Sequence, residues 1–307
     1  MDSMHLAAIF VSTVIAATPL IYAALGELVV ERSGVLNLGV EGMMLVGAVT
    51  GFAVGHITGS LLLGYVAAIF ASTALALLFG FLTLTMQANQ VATGLALTLF
   101  GIGLSAFAGR NFAGLPIDGV EAIPVPMLSS LPVIGALFRF DWLVYGSIAL
   151  YIGVEFFLRR TRAGLRLRAI GESPSAAHAL GQPVIRTRYL AVMFGGAASG
   201  VAGAYLSTAL TPMWVENMSS GRGWIALALV VFATWKPLRV LLGAYLFGGV
   251  TVMQLHAQGF GLEVPSEILS MLPYVATIVV LVIICRDPKT ILLNQPASLG
   301  RSFHADT

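Results

Sequence analysis

The sequence contains very little charge, and this scarcity excludes an ordinary soluble domain. Charged side chains make up 10% of its 307 residues, whereas hydrophobic residues make up 58%. Soluble domains carry about 25% charged residues. We therefore predict an all-α polytopic membrane protein, and the chain is long enough for about eight to ten transmembrane helices of about 20 residues each.

Cysteine, lysine and histidine are also scarce, and this limits the catalytic and metal-binding functions that the chain can have. The single cysteine, Cys285, excludes an internal disulfide framework. Neither of the two lysines, Lys236 and Lys289, follows the glycine pattern of an ATP-binding phosphate loop. The five histidines have no metal-ligand spacing. These absences disfavour an intramembrane enzyme, and they imply that uphill transport would draw its energy from a partner or an ion gradient.

Apolar runs predict the organisation of the chain. The segment at 223–235 is short, so it spans only with its polar lead-in or crosses part of the membrane. Residues 1–285 are predicted to form the transmembrane domain, and residues 286–307 a cytoplasmic tail. The spacing of Gly196 and Gly200 predicts close helix packing. The nine predicted segments are 5–26, 36–56, 60–86, 91–108, 142–158, 188–209, 223–235, 238–255 and 268–285.

Basic residues predict the orientation. Seven of the sixteen lysines and arginines fall in the connection 159–188. The positive-inside rule makes this connection cytoplasmic. Counting through the segments then predicts that residues 31–45 lie toward the cytoplasm and that residues 109–141 and the N-terminus lie outside.

The stretch 31–45 is polar and rich in glycine, although it lies between two long apolar runs. It contains Glu31, Arg32, Asn37 and Glu41 together with Gly34, Gly39 and Gly42. Charged residues in membranes usually face a bundle interior or a polar path. Transporters commonly place interrupted, polar helices at their solute path.

A second stretch repeats this pattern. Val-Glu-Asn-Met at 215–218, followed by Arg222 and Gly223, resembles Val-Leu-Asn-Leu at 35–38, followed by Glu41 and Gly42, although so short a match is also compatible with chance. Five segments separate the two starts, which predicts an inverted pair. We therefore predict that Asn37, Glu41, Asn217 and Arg222 lie near a translocation path. Trp224 and Trp235 are interpreted as interfacial anchors. Arg222, at the outer start of its helix, is equally open to interpretation as an anchor or as a residue of the path.

The basic connection contains a predicted short helix. Ser173 and Pro174 are typical of a helix start, and Gly181 is typical of a helix end. The small residues between them would let a partner approach the backbone closely. A solvated helix in a cytoplasmic loop is the alternative interpretation.

Three stretches together resemble the permease subunits of ABC importers, in the superfamily of the branched-chain amino acid and ribose/galactose permeases. They are most similar to the shorter permease of nucleoside (simple-sugar-like) transporters. The resemblance covers roughly residues 15–285. Its stretches are 26–43, 168–172 with Ala176, Ala177 and Gly181, and 221–228.

The resemblance implies a permease subunit without its own ATPase, located in a bacterial inner membrane. It implies four kinds of partner, namely an ATP-binding subunit that holds ATP and Mg²⁺, a longer sister permease in a heterodimer, an extracytoplasmic substrate-binding protein, and the lipid bilayer. No cofactor is expected in this chain. The residues implied to couple to the ATP-binding subunit are Gly171, Glu172, Ser175, Ala176, Ala177 and Gly181.

An ion-coupled carrier is the alternative function. It needs an ion-binding or protonatable residue deep in the bundle, and Glu41 is the best candidate in the sequence. Uptake that depends on an ion gradient rather than on ATP would favour this alternative.

Overall fold

The fold consists mainly of helices. A computed structural model describes residues 3–124, 139–259 and 294–304, with residue 135 and a few isolated positions between 268 and 282. Two π-helical turns, Phe81–Thr85 and Leu206–Leu210, extend α3 and α8. A two-stranded antiparallel sheet pairs β1 (Ala122–Pro124) with β2 (Arg139–Asp141). The α-helices are α1 Ser3–Arg32, α2 Val40–Thr58, α3 Leu61–Gly80, α4 Gln90–Gly109, α5 Trp142–Arg160, α6 Arg162–Glu172, α7 Pro174–Ala179, α8 Val184–Tyr205, α9 Arg222–Phe232 and α10 Pro237–Gly259.

Long apolar helices confirm the predicted all-α polytopic membrane fold. Among the residues that the structure describes, six helices are long and apolar enough to cross a membrane. Most of the predicted segment 268–285 and the loop 256–267 beyond residue 259 lie outside the described residues. The six spans are Ala7–Arg32, Val40–Thr58, Leu61–Thr85, Gln90–Gly109, Trp142–Arg160 and Val184–Leu210.

Small residues bring the central helices α1, α2, α3 and α8 into close contact. A Cβ atom added to Gly47 of α2 would lie 2.7 Å from the Cα of Gly200 in α8. A Cβ atom on Gly196 would overlap Ala76 of α3, and one on Gly26 would lie 2.7 Å from the Cβ of Ala198. The predicted close packing of α8 is therefore confirmed, and larger side chains would separate these helices.

Helix α9 is too short to cross a membrane by itself. Its 11 residues correspond to about 16 Å at 1.5 Å per residue, roughly half of a hydrocarbon core of about 30 Å. The chain just after α9 lies beside the end of α1, where the Arg32 guanidinium donates to the Trp235 carbonyl at 2.7 Å. The first turn of α9, with Arg222, therefore lies deep in the bundle rather than at its outer surface.

The basic segments gather at one end of the bundle, as predicted. Arg32 contacts Trp235, which precedes Lys236, and Arg188 donates to the Ser33 carbonyl at 3.1 Å. The connection 159–188 contains α6 as well as α7, so the prediction of a loop with one short helix missed an element. Thr161 begins α6 because its hydroxyl accepts from the Gly164 N–H at 3.0 Å.

Candidate functional site

Residues 33–39 form a compact break between α1 and α2. Gly34 has a φ of +88°, which favours glycine, and its N–H donates to the Glu31 carbonyl at 2.9 Å. A Cβ atom at this position would lie 2.8 Å from a guanidinium nitrogen of Arg188. The predicted interruption is present, and it is fixed by neighbours on several sides.

Asn37 shapes the start of α2. Its side-chain oxygen accepts from the Gly39 N–H at 2.9 Å, and its own N–H donates to Oε1 of Glu27 at 3.1 Å. The side chain is completely buried within this chain. In the structure, Asn37 therefore supports the break from inside.

Glu41 joins the start of α2 to the start of α9. Its Oε1 accepts from the Ser219 hydroxyl at 2.6 Å and from the Gly221 N–H at 2.9 Å. Its Oε2 accepts from the Gly223 N–H at 2.6 Å. Free N–H groups and the helix dipole both favour a carboxylate at a helix N-terminus. Because three protein donors occupy the side chain, which is only 3% exposed, Glu41 acts as a cap for α9.

The two polar stretches predicted from the sequence therefore meet in the fold. The tight turn before α9 contains Asn217 with a φ of +55° and Ser220 with a φ of +47°. The Arg222 guanidinium donates back to the carbonyls of Met218 and Ser219, at 3.2 and 3.3 Å. Asn217 and Ser220 are exposed in the single chain, and Arg222 is half-buried. Residues 216–222 thus form a polar segment. Glu41 binds the buried side of this segment, and its opposite side is exposed in the single chain.

The two tryptophans flanking α9 have different surroundings. Trp224 is 36% exposed, which fits an anchor or a path-facing side chain. Trp235 is only 2% exposed, and its indole N–H donates to Oε2 of Glu31 at 2.5 Å. The interpretation of Trp235 as an interfacial anchor is therefore wrong, because the indole is enclosed by protein and hydrogen-bonded there.

The predicted short helix is confirmed as α7, with the predicted capping chemistry. The Ser173 hydroxyl accepts from the Ala176 N–H at 3.3 Å, and Pro174 occupies the first helical position. Gly181 follows the helix with a φ of +73°.

The six residues implied to couple to a partner do not share one surface. Glu172, Ser175, Ala176 and Gly181 are exposed, whereas Gly171 and Ala177 are buried against the rest of the chain. A Cβ atom on Gly171 would overlap the carbonyl of Arg32. The exposed four are accessible to a partner. Ala177 packs α7 against Ile170 and Val184, and Gly171 lets the end of α6 approach Arg32 closely.

Sequence reasoning did not single out Leu180 of this region. Leu180 follows α7 as its C-terminal capping residue and is 80% exposed, the highest value among the large apolar side chains that the structure describes. Its place at the end of a predicted exposed helix could have indicated a contact residue.

Glu27 was also missed as a buried carboxylate. Its Oε1 accepts from Asn37, but its Oε2 has no hydrogen-bond partner among the described residues. The sequence signal that could have identified it is the position of this glutamate between apolar residues.

Two cavities lie away from the Glu41 junction. One, of about 710 Å³, lies at the end opposite the basic segments and is lined by His56, Asp118 and Trp142 among others. The other, of about 490 Å³, lies between α5, α6 and α8. Neither is lined by Asn37, Glu41, Asn217 or Arg222. Within the described part of the chain, no group of three or more potential metal ligands occurs.

Comparison with known proteins identifies the family. A protein of Haloferax volcanii, provisionally named as a glucose ABC transporter permease, is 42% identical over 96% of this chain and 97% of its own length. A nucleoside ABC transporter permease of Lactococcus lactis is 34% identical, covering 89% of this chain and 90% of that protein. A guanosine ABC transporter permease of Bacillus subtilis is 32% identical, covering 92% and 93%.

No solved structure matches the chain significantly. The family model described as branched-chain amino acid transport system / permease component matches residues 9–283, which is most of the sequence. This match and the three relatives agree with the helical membrane fold. The chain therefore belongs to the family of branched-chain amino acid transport system permease components.

Proposed function

We propose that this chain is one membrane subunit of an ATP-driven importer that moves a nucleoside across the cytoplasmic membrane of a bacterium. The observation that carries the proposal is the accessible polar segment 216–222 deep in an apolar bundle. Polar side chains are costly in lipid unless they face a partner or a water-filled route. Asn217 and Arg222 would line that route, with Asn37 and Glu41 behind them as its support.

A nucleoside fits the groups that this segment presents. Asn217 and Ser220 offer hydrogen-bonding groups to ribose hydroxyls, and the partly exposed Trp224 offers a flat face to a base. Two of the three relatives described above are named for nucleoside or guanosine transport. The glucose name of the third makes a sugar the obvious competitor in the experiment.

Energy for transport would come from an ATP-binding subunit. The chain contains no phosphate loop of the Gly-x-x-x-x-Gly-Lys-Ser/Thr type, so ATP and Mg²⁺ would be bound by that subunit. The docking surface would be α7 and the residues on either side of it. Its exposed members are Glu172, Ser175, Ala176, Leu180 and Gly181. A helix whose exposed side chains are small can fit closely into a groove on a partner protein.

Two further proteins would complete the importer. A longer sister permease would close the other side of the path, since segment 216–222 is open in the single chain. An extracytoplasmic binding protein would deliver the solute to the end that holds β1 and β2, opposite the basic segments. The predicted division into a transmembrane domain, 1–285, and a tail from residue 286 is retained in this proposal.

The test is uptake by the reconstituted importer. The chain, its sister permease, the ATP-binding subunit and the binding protein are placed in liposomes, and labelled guanosine and glucose are compared. We expect ATP-dependent guanosine uptake that excess glucose does not inhibit. Glucose uptake without guanosine uptake would overturn the substrate assignment, and uptake independent of ATP would overturn the importer.

A charge reversal on the docking surface tests the coupling role. We expect Glu172→Arg to reduce guanosine uptake strongly, because the reversed charge would face the ATP-binding subunit. Glu172→Gln, which removes the charge without reversing it, is the matched control and should have a smaller effect. Uptake by Glu172→Arg at the wild-type rate would contradict docking through this residue.

An ion-coupled carrier is the second candidate, and one observation favours it. Glu27, rather than the fully occupied Glu41, is a completely buried carboxylate with an oxygen that lacks a partner among the described residues. Guanosine uptake that a protonophore abolishes and that survives removal of ATP would support this function.

A further inference from the structure

We infer that Arg188 and residues 294–304, the C-terminal segment, link the docking helix α7 to the polar break 33–39 and thereby couple ATP hydrolysis to opening of the path. The inference rests on the proposed function, because it assigns the route by which a partner's movement at α7 reaches the path. Arg188 is a positioning residue in this scheme and does not touch the solute.

Arg188 is the centre of the link. It lies near the start of α8 and is only 1% exposed. Its Nε donates to the Ser33 carbonyl at 3.1 Å, and its two terminal nitrogens donate to the Ser298 hydroxyl at 3.1 Å and to the Arg301 carbonyl at 3.4 Å. The rigid fork of a guanidinium thus fixes the break and the C-terminal segment relative to each other.

The C-terminal segment also bonds directly to the elements on both sides. The Gly300 N–H donates to the Gly34 carbonyl at 3.2 Å, within the break. Both the N–H and the hydroxyl of Ser298 donate to the Gly171 carbonyl, at 3.0 and 2.7 Å, at the end of α6. Ser298 therefore connects the start of the docking region to Arg188 through a single side chain.

Aromatic packing extends the link to α7 itself. The Phe303 ring lies 5.6 Å from the His178 ring in an edge-to-face arrangement. Phe303 also packs on a small cluster formed by Ile170, Ala177 and Val184. Because Ala177 belongs to α7, a displacement of α7 would press on Phe303 and on the segment that carries it.

The far end of the break is held by the same segment. Gln90, at the start of α4, accepts from the Leu36 N–H at 2.8 Å and donates to the Arg301 carbonyl at 3.5 Å. Residue 36 is followed directly by Asn37, which positions the start of α2 and Glu41. The chain of contacts therefore runs from α7 through the C-terminal segment and the break to the cap of α9.

The experiment compares ATP consumed with solute imported by the complete importer in liposomes. The variants are Arg188→Lys, Ser298→Ala and Phe303→Ala. We expect ATP hydrolysis stimulated by the loaded binding protein to stay within about twofold of wild type, while uptake falls by at least about fivefold, the lower end of usual coupling strengths. The number of ATP molecules consumed per imported solute would rise accordingly.

Arg301→Gln is the matched control, because the segment uses the backbone carbonyl of Arg301 and its side chain is exposed. It should keep the wild-type ratio of ATP to solute. Since Arg188→Lys disturbs a buried site and could impair folding, the milder Ser298→Ala and Phe303→Ala variants decide the outcome in that case.

Two results would overturn the inference. In the first, all variants keep the wild-type ratio; in the second, hydrolysis and uptake fall together, which indicates a purely structural role. Failure of the proposed function is distinguishable, because the wild-type assembly would then show no ATP-dependent uptake at all.

Discussion

The Glu41 junction and the docking helix α7 differ in how their polar groups are satisfied. Glu41 lies inside the bundle, where its carboxylate accepts three hydrogen bonds from residues far away in the sequence. Helix α7 lies at one end of the bundle, and its capping bonds come from its own neighbours, Ser173 and Ala176. The Glu41 side chain is only 3% exposed and has almost no access to water as a substitute donor, whereas α7 is largely exposed.

Because of this difference, we expect the Glu41 junction to determine the stability of the subunit and α7 to determine its binding to a partner. A polar group in an apolar bundle must find its partners within the protein, because an unsatisfied group costs several kcal/mol there. An exposed helix end can exchange its contacts with water at little cost. We therefore expect variants at the junction to destabilise the subunit itself, and variants on the outer side of α7 to affect only assembly.

Removing Glu41 should have the largest effect on stability. Each hydrogen bond to a charged group contributes about 1.5–3 kcal/mol, so we expect Glu41→Ala to lower the free energy of unfolding by at least about 3 kcal/mol. Thermal unfolding of the purified subunit in detergent measures the change. Ser219→Ala, which removes only one of the three donors, is the graded control. A melting temperature of Glu41→Ala equal to that of wild type would mean that Glu41 does not hold α9.

Crowding the central helices should have an intermediate effect. A Cβ atom on Gly203 of α8 would overlap the carbonyl of Met44 in α2. We expect Gly203→Ala to destabilise the subunit by about 1–3 kcal/mol, as overpacking usually does.

Gly153→Ala in α5 is the matched control for this change. A Cβ atom at Gly153 would meet no atom beyond its own turn of helix within 4 Å. It should therefore stabilise its helix, by about 0.5–1 kcal/mol. The same unfolding assay should give opposite signs for the two variants, and equal shifts would contradict the close approach of α2 and α8.

Changing Leu180 should leave stability unaltered and weaken assembly. This side chain is 80% exposed, so Leu180→Ser removes little packing within the subunit. Burial of a leucine in a partner contributes about 1.5–3 kcal/mol, so we expect the affinity for the ATP-binding subunit to fall by about 10–100-fold. Binding of the purified ATP-binding subunit to the permease pair measures this affinity.

Leu165→Ser on α6 is the control for the docking prediction, since Leu165 is also an exposed leucine but lies outside α7. It should bind the ATP-binding subunit as wild type does. Equal loss of binding in both variants would point to a general loss of exposed apolar surface rather than to docking through α7.

The sequence allowed the fold class and several local features to be predicted. Apolar length predicted the spanning helices, and the order Ser173, Pro174 and Gly181 predicted α7, because capping depends on adjacent residues. The meeting of the two polar stretches was also expected. The burial of Trp235 was not expected, because tryptophan is common at membrane interfaces and its partner, Glu31, is about two hundred residues away in the sequence. Helix α6 was not expected, because an arginine-rich connection is also typical of a solvated cytoplasmic loop.

The sequence by itself determined that this protein is a bundle of membrane helices with one basic end, a broken stretch at 31–45 and a capped helix after Ser173. These properties follow from composition and from interactions between near neighbours. Only the tertiary structure decided that Glu41 caps α9, that Arg188 binds Ser33 and Ser298, and that residues 294–304 lie against the docking region. The physical reason is that each of these hydrogen bonds joins groups more than a hundred residues apart, which no local pattern can pair.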